Sequence, residues 1–272
     1  MVMPIGDVQR TRIIPFVNYL LIAANVAAFA LQAARPDAFT VAYAATPYEI
    51  THATDLDEPV VVRRAATELE PGGPAVIESG RTVIPQAPVP FPVWLTLLTS
   101  MFLHGGILHL AGNMLYLWIF GDNVEEVLGH GRYLLTYLAC GLAASLANIL
   151  IAPDSLIPTL GASGAIAGVM GMYLVWFPQN QVRVLVLRFI TLMPAVLVIG
   201  LWLVMQLFLG YQSLPKAGES GGVAYAAHLG GAAAGIACAL WCRDRARAVA
   251  ERPSDLGWAS RRYRDRRDDW GY

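Results

Sequence analysis

Charge is scarce in this sequence. Only 14% of its 272 residues are Asp, Glu, Lys or Arg, against about 25% in an ordinary soluble domain. So few charges cannot cover a water-facing surface in the usual way. The 56% hydrophobic content and mean hydropathy of +0.49 point instead to a bilayer as solvent. Cysteine is scarce too. Cys140, Cys238 and Cys242 are an odd number, all in apolar segments, which excludes a disulfide framework. Cys238 and Cys242 are four apart, but two thiols alone make a poor metal site, so they read as small apolar side chains. No His-Glu-x-x-His motif occurs and no carboxylate accompanies the histidines, which argues against a zinc peptidase. The net charge of −1 shows no overall basic excess, so no nucleic-acid partner is expected. No cofactor and no metal are expected.

What is abundant is apolar sequence. Six segments, at about 13–34, 106–121, 133–151, 161–177, 189–210 and 223–242, approach the ~20 residues a helix needs to cross the hydrocarbon. Barrel strands would be shorter, with alternating polarity. The first run is longer than a signal-peptide core and reads as an uncleaved span. With both termini in the cytoplasm, 14 of the 19 Lys and Arg fall on that side and 5 on the other, as the positive-inside rule requires. The chain then divides into a cytoplasmic N-terminus (1–12), a membrane domain (13–242) and a basic cytoplasmic tail (243–272), which is expected to be disordered. Residues 35–92, rich in proline and acid, read as an extracytoplasmic insertion with little core of its own. Within it lie a strand at Pro59–Arg64 and a turn at Pro71-Gly72-Gly73-Pro74.

Polar residues inside such segments are expensive and are candidates for function. The run LTSMFLHGGILHLAGNMLYLWIFGDN carries His104, His109 and Asn113; TLGASGAIAGVMG carries Ser163; GGVAYAAHLGGAAAG carries His228. Taken alone, Ser163 among glycines and alanines is read most simply as a small residue for helix packing. Depth changes that reading. The second, fourth and sixth segments enter from the extracytoplasmic side. His109, Asn113, Ser163 and His228 all lie near their starts, within about 10 Å of that surface. Gly164/Gly168 and Gly231/Gly235 are four-residue glycine pairs that let the fourth and sixth helices approach closely. A serine beside a histidine is a nucleophile with its general base. A serine N–H at a helix N-terminus favours a developing anion, and His109 and Asn113, one turn apart, can add donors to the same oxygen.

These motifs, HGGILHLAGN, GASG with Gly161 and Gly164 flanking the serine, and AHLGG followed by Gly235, resemble those of the rhomboid intramembrane serine proteases. The resemblance covers about 13–242, excluding most of 35–90. It implies an all-α membrane protein, a six-transmembrane-helix bundle of the bacterial type, in a bacterial inner membrane with cytoplasmic termini. It implies a Ser–His dyad without a buried aspartate: Ser163 as nucleophile, His228 as base, His109 and Asn113 at the oxyanion, and His104 in a structural role. Its substrates would be transmembrane proteins cut near the extracytoplasmic face. The chain departs from many relatives twice. It has Val93-Trp94-Leu95-Thr96 where they carry a Trp-Arg pair, and Ala167 where some place an aromatic against the histidine. A catalytically inactive rhomboid-like scaffold is the alternative function; such proteins usually lack the serine or histidine that this chain has. A proton pathway or transporter would call for charges deeper in the spans.

Overall fold

The structure, a computed structural model, describes residues 2–9, 11–68, 76–213 and 225–244. The Pro71–Pro74 turn and the tail beyond 244 lie outside the described residues. In chain order the elements are β1 (Val2–Asp7), α1 (Phe16–Ala33), α2 (Asp37–Tyr43), α3 (Pro47–His52), β2 (Val60–Glu68), β3 (Val76–Ile84), α4 (Thr96–Thr99, between two single 3-10 turns), α5 (Ile107–Leu128), α6 (His130–Ile151), α7 (Ser163–Trp176), β4 (Gln181–Val186), β5 (Phe189–Pro194), α8 (Ala195–Ser213) and α9 (Tyr225–Trp241).

The architecture is a helical membrane bundle. Among the described residues α1, α6 and α8 are each long and apolar enough to cross a bilayer alone. The segment 93–102 and α5 are together apolar and long enough to count as a fourth, with a bend of 78° at the break between them. α7 and α9 are shorter. At 1.5 Å per residue, the 14 residues of α7 reach roughly 21 Å, less than the ~30 Å hydrocarbon thickness. α7 is apolar on every side, and Gly164 through Tyr173 are all buried; such a helix belongs at the centre of a bundle. It packs against α5, α6, α8 and α9.

Three expectations are corrected. The stretch 122–132 is not a loop. α5 continues to Leu128 and only Gly129 separates it from α6. Gly129 has φ +78°, a left-handed conformation that glycine adopts without strain, and its N–H caps Glu125 O at 2.7 Å. The longer helix carries Asp122, Glu125 and Glu126, so the membrane helices are not free of carboxylates. Glu125 is fully buried and accepts the Val17 and Asn18 N–H groups at 2.9 and 2.7 Å. α1 has no side-chain cap of its own; Glu125 supplies one from α5.

The second correction concerns 189–194, which was expected to open the fifth span. It is β5, paired antiparallel with β4, and β4 pairs in turn with β1. This three-stranded sheet closes the end of the bundle opposite Ser163. There Asp7 Oδ2 accepts Tyr173 OH and, at 3.0 Å, Asn123 Nδ2, tying the N-terminal strand to α7 and α5.

The third concerns 35–92. β2 and β3 form a nine-rung antiparallel hairpin from Val60↔Ile84 to Glu68↔Val76, longer than the expected strand. α2 and α3 are seamed to the loop that leads into α7. Ala45 and Thr159 exchange backbone bonds at 2.9 and 2.8 Å, and Thr51 Oγ1 and Gln86 Nε2 donate to Pro153 O and Leu156 O. Through these bonds the insertion docks on the loop that leads into α7.

Candidate active site

Ser163 is the first residue of α7. The chain enters through Gly161, whose φ of +131° suits glycine and strains other residues. Gly161 N–H is held by Ser100 O at 2.9 Å. His228 lies in the first turn of α9 and is buried. Its Nε2 is 2.8 Å from Ser163 Oγ.

Backbone contact between α7 and α9 makes that distance attainable. A Cβ on Gly231 would lie 2.0 Å from Gly164 O, and one on Gly235 would lie 1.9 Å from Gly168 O. No L side chain fits at either position without separating the helices. α6 closes the third side: a Cβ on Gly164 would meet Ala144 Cβ at 2.5 Å.

His109 and Asn113 reach the site from α5. Gly105 N–H donates to His109 Nδ1 at 3.3 Å, so the neutral imidazole carries its proton on Nε2. A Cβ built on Gly161 would lie 3.1 Å from that Nε2 and 3.6 Å from Ser163 Oγ; the two groups border one space. Asn113 is buried, and its Nδ2 makes no hydrogen bond among the described residues. His104 packs edge-on against His109, with centroids 5.1 Å apart. Its backbone, rather than its ring nitrogens, makes its hydrogen bonds, to Gln32.

A cavity of about 40 Å³ beside Ser163 is lined by Ser100, Met101, Gly141, Ala144, Gly161 and Gly164. A larger groove of about 430 Å³ between α1 and α5, lined by Tyr19, Val26 and Trp118 among others, has no serine, cysteine, histidine or carboxylate in its lining. Among the described residues no three His, Cys, Asp or Glu are grouped to hold a metal ion.

Sequence reasoning missed one neighbour. Gln206, on α8, is buried, and its Oε1 is 2.8 Å from His228 Nδ1. Trp202, one turn earlier, has its ring centroid 5.6 Å from the His228 ring. The one amide within the apolar run AVLVIGLWLVMQLFLG was the available signal.

A helical membrane bundle with a serine and histidine in contact on two glycine-packed helices defines the class. The rhomboid domain family matches residues 92–245, and the chain belongs to the rhomboid family. It is 49% identical over 81 residues to Rhomboid protease GluP of Bacillus subtilis (strain 168), covering 30% of this chain and 15% of that protein. It is 32% identical over 146 residues to Rhomboid protein 1, mitochondrial, of Saccharomyces cerevisiae, covering 52% and 40%. It is 38% identical over 82 residues to Rhomboid-like protein 11, chloroplastic, of Arabidopsis thaliana, covering 30% and 29%. The chain thus spans well under half the length of each of these relatives.

Proposed function

We propose that this protein is an intramembrane serine endopeptidase that hydrolyses peptide bonds of transmembrane proteins near the extracytoplasmic face. The observation that carries the reading is the 2.8 Å contact between Ser163 Oγ and His228 Nε2. His228 Nε2 takes the hydroxyl proton as Ser163 Oγ bonds to the scissile carbonyl carbon. The oxyanion that forms is held by the Ser163 N–H at the start of α7, with His109 Nε2–H and Asn113 Nδ2 as side-chain donors. The C–N bond breaks, the imidazolium gives its proton to the leaving amine, and an acyl-enzyme remains. Water, deprotonated by His228, then attacks the ester carbon; the C–Oγ bond breaks, the imidazolium returns its proton to Ser163 Oγ, and the carboxyl product leaves. The small cavity beside Ser163 favours a small side chain next to the cut.

The chain is a multi-pass integral membrane protein. Placing both termini on the cytoplasmic side rests on the distribution of Lys and Arg, 14 against 5; the bacterial plasma membrane is the setting that the resemblance to bacterial rhomboids implies. An inactive scaffold would have no use for a hydrogen-bonded serine and histidine.

The test is labelling of the purified chain with a fluorophosphonate, followed by mapping of the adduct. The expected adduct is on Ser163. Ser163→Ala should take no label, and neither Ser163→Ala nor His228→Ala should cleave a reconstituted transmembrane substrate while both stay monodisperse. Cleavage by a folded Ser163→Ala protein at the wild-type rate would end this reading.

A further inference from the structure

We propose that Gln206 is the positioning residue for His228, doing with a neutral amide what a buried carboxylate does for the imidazole of a Ser-His-Asp triad. The inference rests on the dyad reading above. Gln206 is 4% exposed, on a helix whose neighbours Val204, Met205, Leu207 and Phe208 all face outward. Its Oε1 sits 2.8 Å from His228 Nδ1, on the opposite side of the ring from Ser163.

The chemistry of the two groups dictates the proton's place. A neutral imidazole has one N–H and one lone pair, and an amide oxygen only accepts. Nδ1 therefore carries the proton and Nε2 presents its lone pair to the Ser163 hydroxyl, the tautomer a general base needs. Turned the other way, the amide NH2 would donate to Nδ1 and leave Nε2 protonated, unable to take the serine's proton. When the imidazolium forms, the negative end of the amide dipole faces Nδ1–H. A neutral partner gives that stabilisation without the cost of an ion held in a low-dielectric interior.

α8 constrains the ring in a second way. Trp202 lies over it at 5.6 Å with planes tilted by 40°. The residue one turn after Ser163 on α7 is Ala167, fully buried, which offers no ring. The helix that supplies neither nucleophile nor base thus sets both the tautomer and the orientation of the base.

The experiment measures fluorophosphonate labelling and substrate cleavage against pH for the full chain, Gln206→Leu, Gln206→Glu and Ser163→Ala. Gln206→Leu, similar in size but without an acceptor, should label about 10²-fold slower, the low end of what a positioned base contributes. Its kcat should fall by the same factor with KM unchanged. Gln206→Glu keeps an acceptor oxygen and should restore most of the rate. It should also move the acid limb of the rate–pH profile upward, because a carboxylate at Nδ1–H favours the imidazolium. If Gln206→Leu does not fold, the shifted acid limb of Gln206→Glu carries the test alone. Wild-type labelling by a folded Gln206→Leu protein, or a Gln206→Glu protein with an unshifted acid limb, overturns the proposal. Ser163→Ala separates the two readings: loss of its adduct leaves the dyad standing whatever Gln206 does, and persistence of the adduct removes both.

Discussion

Gln32 and His104 are joined by two hydrogen bonds. Gln32 Nε2 donates to His104 O at 3.1 Å, and His104 N–H donates to Gln32 Oε1 at 2.9 Å. One amide at the end of α1 thus completes both backbone groups of a buried loop residue 72 positions away. This clamp holds the turn before α5 in a chain that lacks the Trp-Arg pair of many relatives. Gln32→Leu would orphan two buried backbone groups, each at about 1–3 kcal/mol. The expected result is a clear drop in melting temperature. Activity per folded molecule should fall too, since His104 supports the His109 ring. Thermal unfolding and kcat measured on the same sample check both.

Glycines at the α7–α9 contact should be intolerant, and a glycine elsewhere should not. Gly231→Ala puts a Cβ 2.0 Å from the backbone oxygen of Gly164. Overpacking costs typically about 1–3 kcal/mol, and here the neighbour is backbone that cannot swing aside. Gly112, in the first part of α5, has nothing within 4 Å of such a Cβ. Gly112→Ala should be neutral or stabilising by up to about 1 kcal/mol. Parallel melting curves and labelling rates test the pair. Equal behaviour of the two variants would contradict the backbone contact.

If His109 and Asn113 donate to the oxyanion as proposed, they should separate from the dyad in kinetics. Removing one donor typically costs ~10²–10³ in kcat. Asn113→Ala should be slow but measurably active, with little change in KM, because the charge it meets is absent from the ground state. The Asn113→Ala/His109→Ala pair should be non-additive, since both serve one oxygen. A lowered melting temperature with normal kcat would make Asn113 a helix-packing residue only.

Burial holds the Asp7 carboxyl above its ordinary value, against the opposing bonds from Tyr173 and the Gln9 and Val8 N–H groups. The folded protein therefore keeps a proton that the unfolded chain has released. That contribution to stability is present below the ordinary carboxylate range and is lost as pH rises through the raised value. Asp7→Asn should flatten the fall in melting temperature between about pH 4 and neutral. Asp122 and Tyr173 are the titratable neighbours; neither is substituted in this comparison, though both feel the Asp7 charge. An identical slope in the variant would assign the pH dependence to other groups.

The sequence by itself determined the solvent, the helical class and the motifs of the candidate site. Charge is so sparse that hydropathy alone marks the bundle, and His109, Asn113, Ser163 and His228 stand out because a polar group in an apolar run has no local reason to be there. Tertiary structure decided what touches what. The Gln206–His228 and Gln32–His104 bonds join residues 22 and 72 apart, and a glutamine in an apolar helix does not by itself name its partner. β5, FITLMP, is as apolar as the helix it precedes, and its hairpin turns at Leu187-Arg188, without an Asn-Gly or Asp-Gly signal. It became a strand because β4, paired along one edge with β1, offers its other edge to β5. Likewise α5 runs past residue 121 because Glu125 is needed, buried, at the start of α1. A carboxylate that reads locally as the beginning of a loop is stabilised inside the bundle by backbone donors from another helix, and only the folded chain brings those donors to it.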